Sequence, residues 1–179
     1  MPGHSVLQLP VPPLEEWVRA RTAHYDEGFV SADPLFAHAH ITALGPFDPD
    51  PSAEVLQVVA GLAAATAPIR VELAELAQFP KGIIHLVPTP ASPLRDLTAR
   101  LVAAFPDHPP YAGEFGLDVE PHLTVDAASA DVSLASTGEL LRSVVPVEVV
   151  LDRLQLAWWE SGNCHVMQEW RLGSTSPVR

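Results

Sequence analysis

Ala39-His40-Ile41-Thr42-Ala43-Leu44 and its downstream echo Pro121-His122-Leu123-Thr124-Val125 decide how this chain is read. Each places a His and a Thr two positions apart, with apolar residues between and after. In an extended strand successive side chains point to opposite faces, so His and Thr share one face while Ile41, Ala43, Leu123 and Val125 enter a core. The copies start 82 residues apart (positions 40 and 122). That spacing predicts one motif strand in each half of a duplicated domain.

Working outward, each half shows the same order of elements. Ser5 to Leu9 reads as a short buried strand. A helix from Pro13 to about Ala23 follows, then a connection over 26–37 and a first motif strand from His38 to Leu44. Asp50 or Ser52 caps a helix reaching Thr66. Ile69 to Phe79 alternates as a half-exposed strand, and Lys81-Gly82 turns it into Ile83–Val87. The order then repeats. Ser92 caps a helix ending near Phe105, a Pro- and Gly-rich connection spans 107–116, and the second motif strand covers His122 to Asp126. Ser136 and Glu139 read as a capping box for a short helix. Val147 to Trp159 and Cys164 to Leu172 form a closing hairpin around Ser161-Gly162-Asn163. The fold predicted is α+β: a single bilobal domain over 1–179, with pseudo-repeats of roughly 5–82 and 83–172. Two mostly antiparallel sheets would flank a central cleft, with helices on the outside.

Bulk properties narrow the partners. At 179 residues, 47% hydrophobic and 18% charged, the chain can bury a substantial core. No apolar run is long enough for a bilayer crossing, and the N-terminus has no signal-peptide pattern, so no membrane partner is expected. Cys164 is the sole cysteine, which excludes an internal disulfide and fits a cytoplasmic location. The net charge is −12, with one Lys and nine Arg and no basic stripe. Long nucleic acid is gripped chiefly by Lys and Arg on phosphates, so no long nucleic acid is expected. A small ligand with one or two phosphates remains compatible, because a few local donors suffice.

Two imidazoles and two hydroxyls facing one cleft suit acid–base chemistry on a phosphodiester. One group takes a proton from the attacking oxygen and another gives one to the leaving oxygen. Imidazole titrates near neutrality, so His40 and His122 can divide these roles, in an order the motifs leave open. The hydroxyls of Thr42 and Thr124 can bond the non-bridging oxygens as charge builds there. Gln8 and His85 occupy matching places in the two repeats, each a polar residue amid an apolar strand. Such a group must face the cleft or a buried partner, and both are counted as substrate-binding candidates. His38 shares a face with His40 but has no counterpart downstream. Of Trp158 and Trp159 one should be core and one exposed. A nucleobase could stack on the exposed one, or on Phe47, Tyr111 or Phe115, although core packing is the plainer reading of each. His38-x-His40 lacks a nearby Cys or a third His at ligand spacing, and structural zinc needs four ligands, so no metal and no cofactor are expected.

With both motifs on strands in one duplicated α+β domain, the chain resembles the two-histidine (2H) phosphoesterase superfamily, in particular its LigT-like, 2'-5' RNA ligase-like branch. The resemblance implies hydrolysis of 2',3'-cyclic phosphates to 2'-phosphates. It assigns His40 and His122 as the acid–base pair and Thr42 and Thr124 as phosphate binders. The expected partner is a small nucleotide or RNA end carrying a cyclic phosphate, bound by a monomer. The alternatives are a non-catalytic module for a phosphorylated ligand and a 2'-5' RNA ligase.

Overall fold

The computed structural model describes residues 3–116 and 119–174. In chain order the elements are β1 (His4–Pro10), α1 (Glu15–Tyr25), β2 (His40–Phe47), α2 (Ala53–Ala64), β3 (Ile69–Gln78) and β4 (Ile83–Thr89). They continue with α3 (Ser92–Ala104), β5 (Leu123–Ala127), α4 (Leu134–Leu141), β6 (Val147–Leu151), β7 (Arg153–Trp159) and β8 (His165–Arg171). The strands form two four-stranded sheets, ordered β2-β1-β7-β8 and β5-β4-β3-β6, with every neighbouring pair antiparallel. The α+β architecture with two sheets is the one the sequence predicts. Among the described residues no helix is long and apolar enough to cross a membrane.

The lobes do not coincide with the repeats 5–82 and 83–172. Phe79, Gly82 and Ile83 close a tight turn, with Gly82 at φ +92°, so β3 folds back on β4 and joins the second sheet. The long strand expected over 147–159 is also two strands. β6 pairs with β3 in the second sheet and β7 with β1 in the first, the chain crossing between them at Asp152. The cause is a change of phase. Val147, Val149 and Leu151 turn inward at odd positions, whereas Leu154 and Leu156 do so at even ones, and one flat strand cannot bury both sets. Two helix starts differ as well. Ser92 is the first residue of α3 rather than its cap, and α4 is capped by the reciprocal pair Ser133 and Ser136, one turn before the expected box. Ser52 does cap α2.

A continuous apolar core runs through both lobes. Leu7, Leu9, Ile41 and Leu44 of the first sheet meet Ile84, Leu86, Leu123 and Val125 of the second, together with Leu94, Leu97 and Leu101 of α3. Both motif strands, β2 and β5, lie at sheet edges, and each is held by a helix of the other lobe. From α3, Thr98 Oγ1 donates to the Ala43 carbonyl at 2.9 Å. From α1, Arg21 Nη2 reaches Asp126 Oδ1 at 2.7 Å, and the Tyr25 hydroxyl bonds the same oxygen. Thr137 Oγ1 of α4 donates to Asp126 Oδ2 at 2.8 Å. Burial works against ionisation of Asp126, but the donors Tyr25, Arg21 and Thr137 outweigh it and hold the carboxyl below its ordinary range.

Removing this carboxylate leaves a guanidinium and two hydroxyls without their acceptor. Asp126→Ala should therefore lower unfolding free energy by roughly 3–5 kcal/mol, measured by denaturant unfolding, whereas Thr98→Ala should cost only about 1 kcal/mol.

Candidate active site

His40 opens β2, and His122 stands one residue before β5. The two imidazoles are close enough for His122 to depress protonation of His40 electrostatically. Each ring is fixed in the same way. His40 Nδ1 lies 2.9 Å from the carbonyl of His38, and His122 Nδ1 lies 2.9 Å from the carbonyl of Glu120. A carbonyl oxygen can only accept, so both Nδ1 atoms carry the hydrogen and both Nε2 lone pairs remain for chemistry. Half-burial lowers the proton affinity of both rings. For His40, burial and then the charge of His122 outweigh its backbone bond and bring its pKa down to about 4. His122 is lowered chiefly by burial, against the opposing bond to Glu120.

Glu15 sets the entry to the first motif. Its carboxylate accepts from the Ala39 amide at 2.8 Å and from His38 Nδ1 at 2.6 Å, while His38 Nε2 accepts from the Ser31 amide at 3.1 Å. With both nitrogens engaged and 4% exposure, His38 braces the strand and does not line the cleft. Burial tends to raise the Glu15 pKa, but the bonds from His38 and Ala39 bring it below the usual value.

Gln8 and His85 keep the matching places read from the sequence. Gln8 pairs across strands with Thr42, and His85 with Thr124. Neither faces open solvent. Gln8 is 0% exposed; its amide donates to the Ala37 carbonyl at 3.1 Å and to Gln155 Oε1 at 3.3 Å, and its oxygen accepts from Trp159 Nε1 at 3.0 Å. An uncommitted amide would be costly at that depth, and these three bonds engage both its nitrogen and its oxygen. His85 is 4% exposed and stacks on Phe79, with ring centroids 4.0 Å apart and planes 18° apart. Its edge meets His122 at 5.3 Å, and burial followed by the His122 charge lowers its pKa. Both residues support the motif from behind.

The aromatic surroundings divide between the lobes. Trp159, half-buried and held by Gln8, lies 5.1 Å from the His40 ring. Phe79 meets His122 edge-on at 4.9 Å, and the Tyr111 ring lies parallel to that of His122 with centroids 6.2 Å apart. Thr42 is half-buried and Thr124 exposed. Phe47 is core, packed on Phe105. The role of Phe79 has no signature in the sequence, since it sits at a strand end with no counterpart in the first half. Among the described residues no three His, Cys, Asp or Glu side chains gather as metal ligands.

These features define a class: a bilobal α+β protein with paired His-x-Thr motifs on facing edge strands. Residues 9–163 match the sequence profile of the 2'-5' RNA ligase superfamily, and the chain belongs to that family of two-histidine phosphoesterases. Similar folds include TT0787 of Thermus thermophilus, at 20% identity and TM-score 0.61, covering 96% of this chain and 98% of that one. E. coli LigT complexed with 3'-AMP is 17% identical at TM-score 0.55, covering 97% of this chain and 100% of that one. E. coli LigT complexed with phosphate is 16% identical at TM-score 0.53, covering 97% and 99%. At these identities the likeness is one of fold. No curated protein sequence matches the chain.

The lowered imidazole pKa values have a thermodynamic consequence. Between pH 6.5 and about 4 the unfolded chain protonates His40 and the folded chain does not, so the unfolded state binds more protons and folding weakens as pH falls. The melting temperature should drop across that window, and His40→Asn should make the drop shallower, with His122 and His85 supplying the remainder.

Proposed function

We propose that this protein is a metal-independent cyclic phosphodiesterase that opens 2',3'-cyclic phosphates of small nucleotides or RNA ends to 2'-phosphates. The observation that carries the proposal is the pair of histidines, one per lobe, each with Nδ1–H tied to a carbonyl two residues back and Nε2 left free. In the reaction one Nε2 takes a proton from water as its oxygen bonds to phosphorus. The bond to the 3'-oxygen breaks, and the other imidazole delivers a proton to that oxygen. The product is a 2'-phosphate beside a free 3'-hydroxyl. Thr42 and Thr124 bond the non-bridging oxygens, where charge accumulates.

His40, the ring drawn furthest toward the neutral form, is assigned as the base. His122 acts as the acid once the negative charge of bound phosphate restores its proton affinity. The acidic net charge favours a small substrate over a long strand and disfavours ligation of long RNA. So do the cations around the cleft, since Lys81 is paired with Glu114 and Arg95 with Glu120. LigT structures holding 3'-AMP, ATP and NADP+ show that a relative of this fold accepts small nucleotides. Both motifs come from one chain, so a monomer suffices, and the single free Cys164 suits the cytoplasm.

The test is hydrolysis of 2',3'-cyclic nucleotides with EDTA present, with the product position read by chromatography. His40→Ala and His122→Ala should each lose about 10²–10⁴-fold in kcat. Because the base is free of its proton down to about pH 4, the acidic limb of kcat/KM should fall well below pH 6.5. Equal turnover in wild type and both variants would reject the mechanism, and saturable binding without product would make the protein a binding module.

A further inference from the structure

A row of polar side chains crosses the first sheet from one edge strand to the other. In register, Glu169 of β8 stands opposite Gln155 of β7, Gln155 opposite Gln8 of β1, and Gln8 opposite Thr42 of β2. Direct cross-strand partners share a face, so all four lie on the side that carries the first motif. Glu169, Gln155 and Gln8 are buried, at a depth where a polar group is costly unless it is bonded. They bond one another. Arg153 Nη1 donates to Glu169 Oε1 at 3.0 Å, and Gln155 Nε2 donates to Glu169 Oε2 at 2.7 Å. Gln8 Nε2 donates to Gln155 Oε1 at 3.3 Å, and Trp159 Nε1 donates to Gln8 Oε1 at 3.0 Å. A carboxylate only accepts and an indole nitrogen only donates, so neither amide can be turned over. The carbonyls of Leu35 and Ala37, which accept from Gln155 and Gln8, fix the same orientation. The row therefore runs unbroken from the Glu169 charge to an indole ring 5.1 Å from His40, with planes 47° apart.

We propose that Glu169, three strands away from the first motif, is a positioning residue for His40 that acts through Gln155, Gln8 and Trp159. The carboxylate polarises the row, and each bond strengthens the next, so the indole is held more firmly than one isolated amide would hold it. Without the row, Trp159 would be left with packing alone, such as the edge contact of Phe36 at 4.6 Å. A buried ion pair is a poor source of stability, since apolar side chains of similar shape often do as well. What Glu169 supplies is direction. The other ionisable side chains whose charge acts on His40 are His122 of β5 and Glu15 of α1. Neither is hydrogen-bonded to the row, so changes in the row leave them in place. The effect on turnover rests on the proposed catalytic role of His40, whereas the effect on the His40 ring is measured without it.

The experiment compares wild type with Glu169→Met, Glu169→Gln, Gln8→Met, Trp159→Phe and the double variant Glu169→Met with Trp159→Phe. NMR follows the Trp159 indole N–H, identified by its loss in Trp159→Phe, and the His40 Hε1 resonance. Cyclic-nucleotide turnover and melting temperature are measured in parallel. Glu169→Met and Gln8→Met should move the indole N–H upfield as its bond weakens. They should also raise the His40 titration midpoint from about 4 toward 6.5 as water reaches the ring. Turnover should fall about tenfold in kcat with KM within about twofold, because substrate still binds but the imidazole is less well aimed. Glu169→Gln keeps one acceptor oxygen in place of two, so it should fall between wild type and Glu169→Met, and it carries the test if Glu169→Met does not fold. In the Trp159→Phe background Glu169→Met should change neither the midpoint nor kcat further. An unmoved indole resonance or His40 midpoint in the folded Glu169 variants overturns the inference. So does an effect of Glu169→Met that persists undiminished without the indole. Shifted resonances and midpoint with no turnover in any protein uphold the positioning role while rejecting the proposed hydrolysis.

Discussion

Two sheet edges that share no ladder must be held at a fixed separation, and the rest of the structure answers to that requirement. β2 and β5 each carry half of the candidate chemistry, and each has its inner side bonded within its own sheet. An unpaired edge is free to drift or to pair elsewhere. The protein braces both with helices from the opposite lobe, through Thr98 on the Ala43 carbonyl and Arg21 with Tyr25 on Asp126. The second brace is ionic and centred on a buried carboxylate, so it is costly to break although of modest net value. The continuous core beneath both sheets does the same work without direction, and the polar bonds give it an orientation.

Behind each motif the two lobes solve one problem by different means. In the first, Gln8 carries the load of a buried polar network, linking Gln155 and the Ala37 carbonyl to the Trp159 indole beside His40. In the second, His85 and Phe79 stack and present edges to His122. A hydrogen-bonded wall fixes direction closely, whereas an aromatic wall excludes water and tolerates small shifts. Both walls favour neutral imidazoles.

The strand exchange between repeats explains how the lobes avoid behaving as separate domains. β3 leaves the first repeat for the second sheet, and β7 returns to the first. Each sheet is thus built from both halves of the chain, and neither lobe can open far without disturbing the other. The site between them inherits that rigidity, which suits chemistry requiring two imidazoles at a fixed spacing.

The alternation of His, apolar, Thr, apolar determined that each motif is a half-buried strand with its polar face toward one side, because period two admits no other face assignment. The repetition of that pattern, with helical spacing between copies, determined the α+β class. Burial of Gln8 and His85, the engagement of His38, and the place of Tyr111 over His122 were decided by tertiary structure alone. A strand pattern says which residues share a face, but not what another segment lays over it. The sheet membership of β3 belongs partly to each: its tight turn is local and readable, as is the odd-to-even slip before Leu154. Which sheet those strands complete depends on contacts between residues far apart in the chain, such as Ile69 with Leu151 and Gln8 with Gln155.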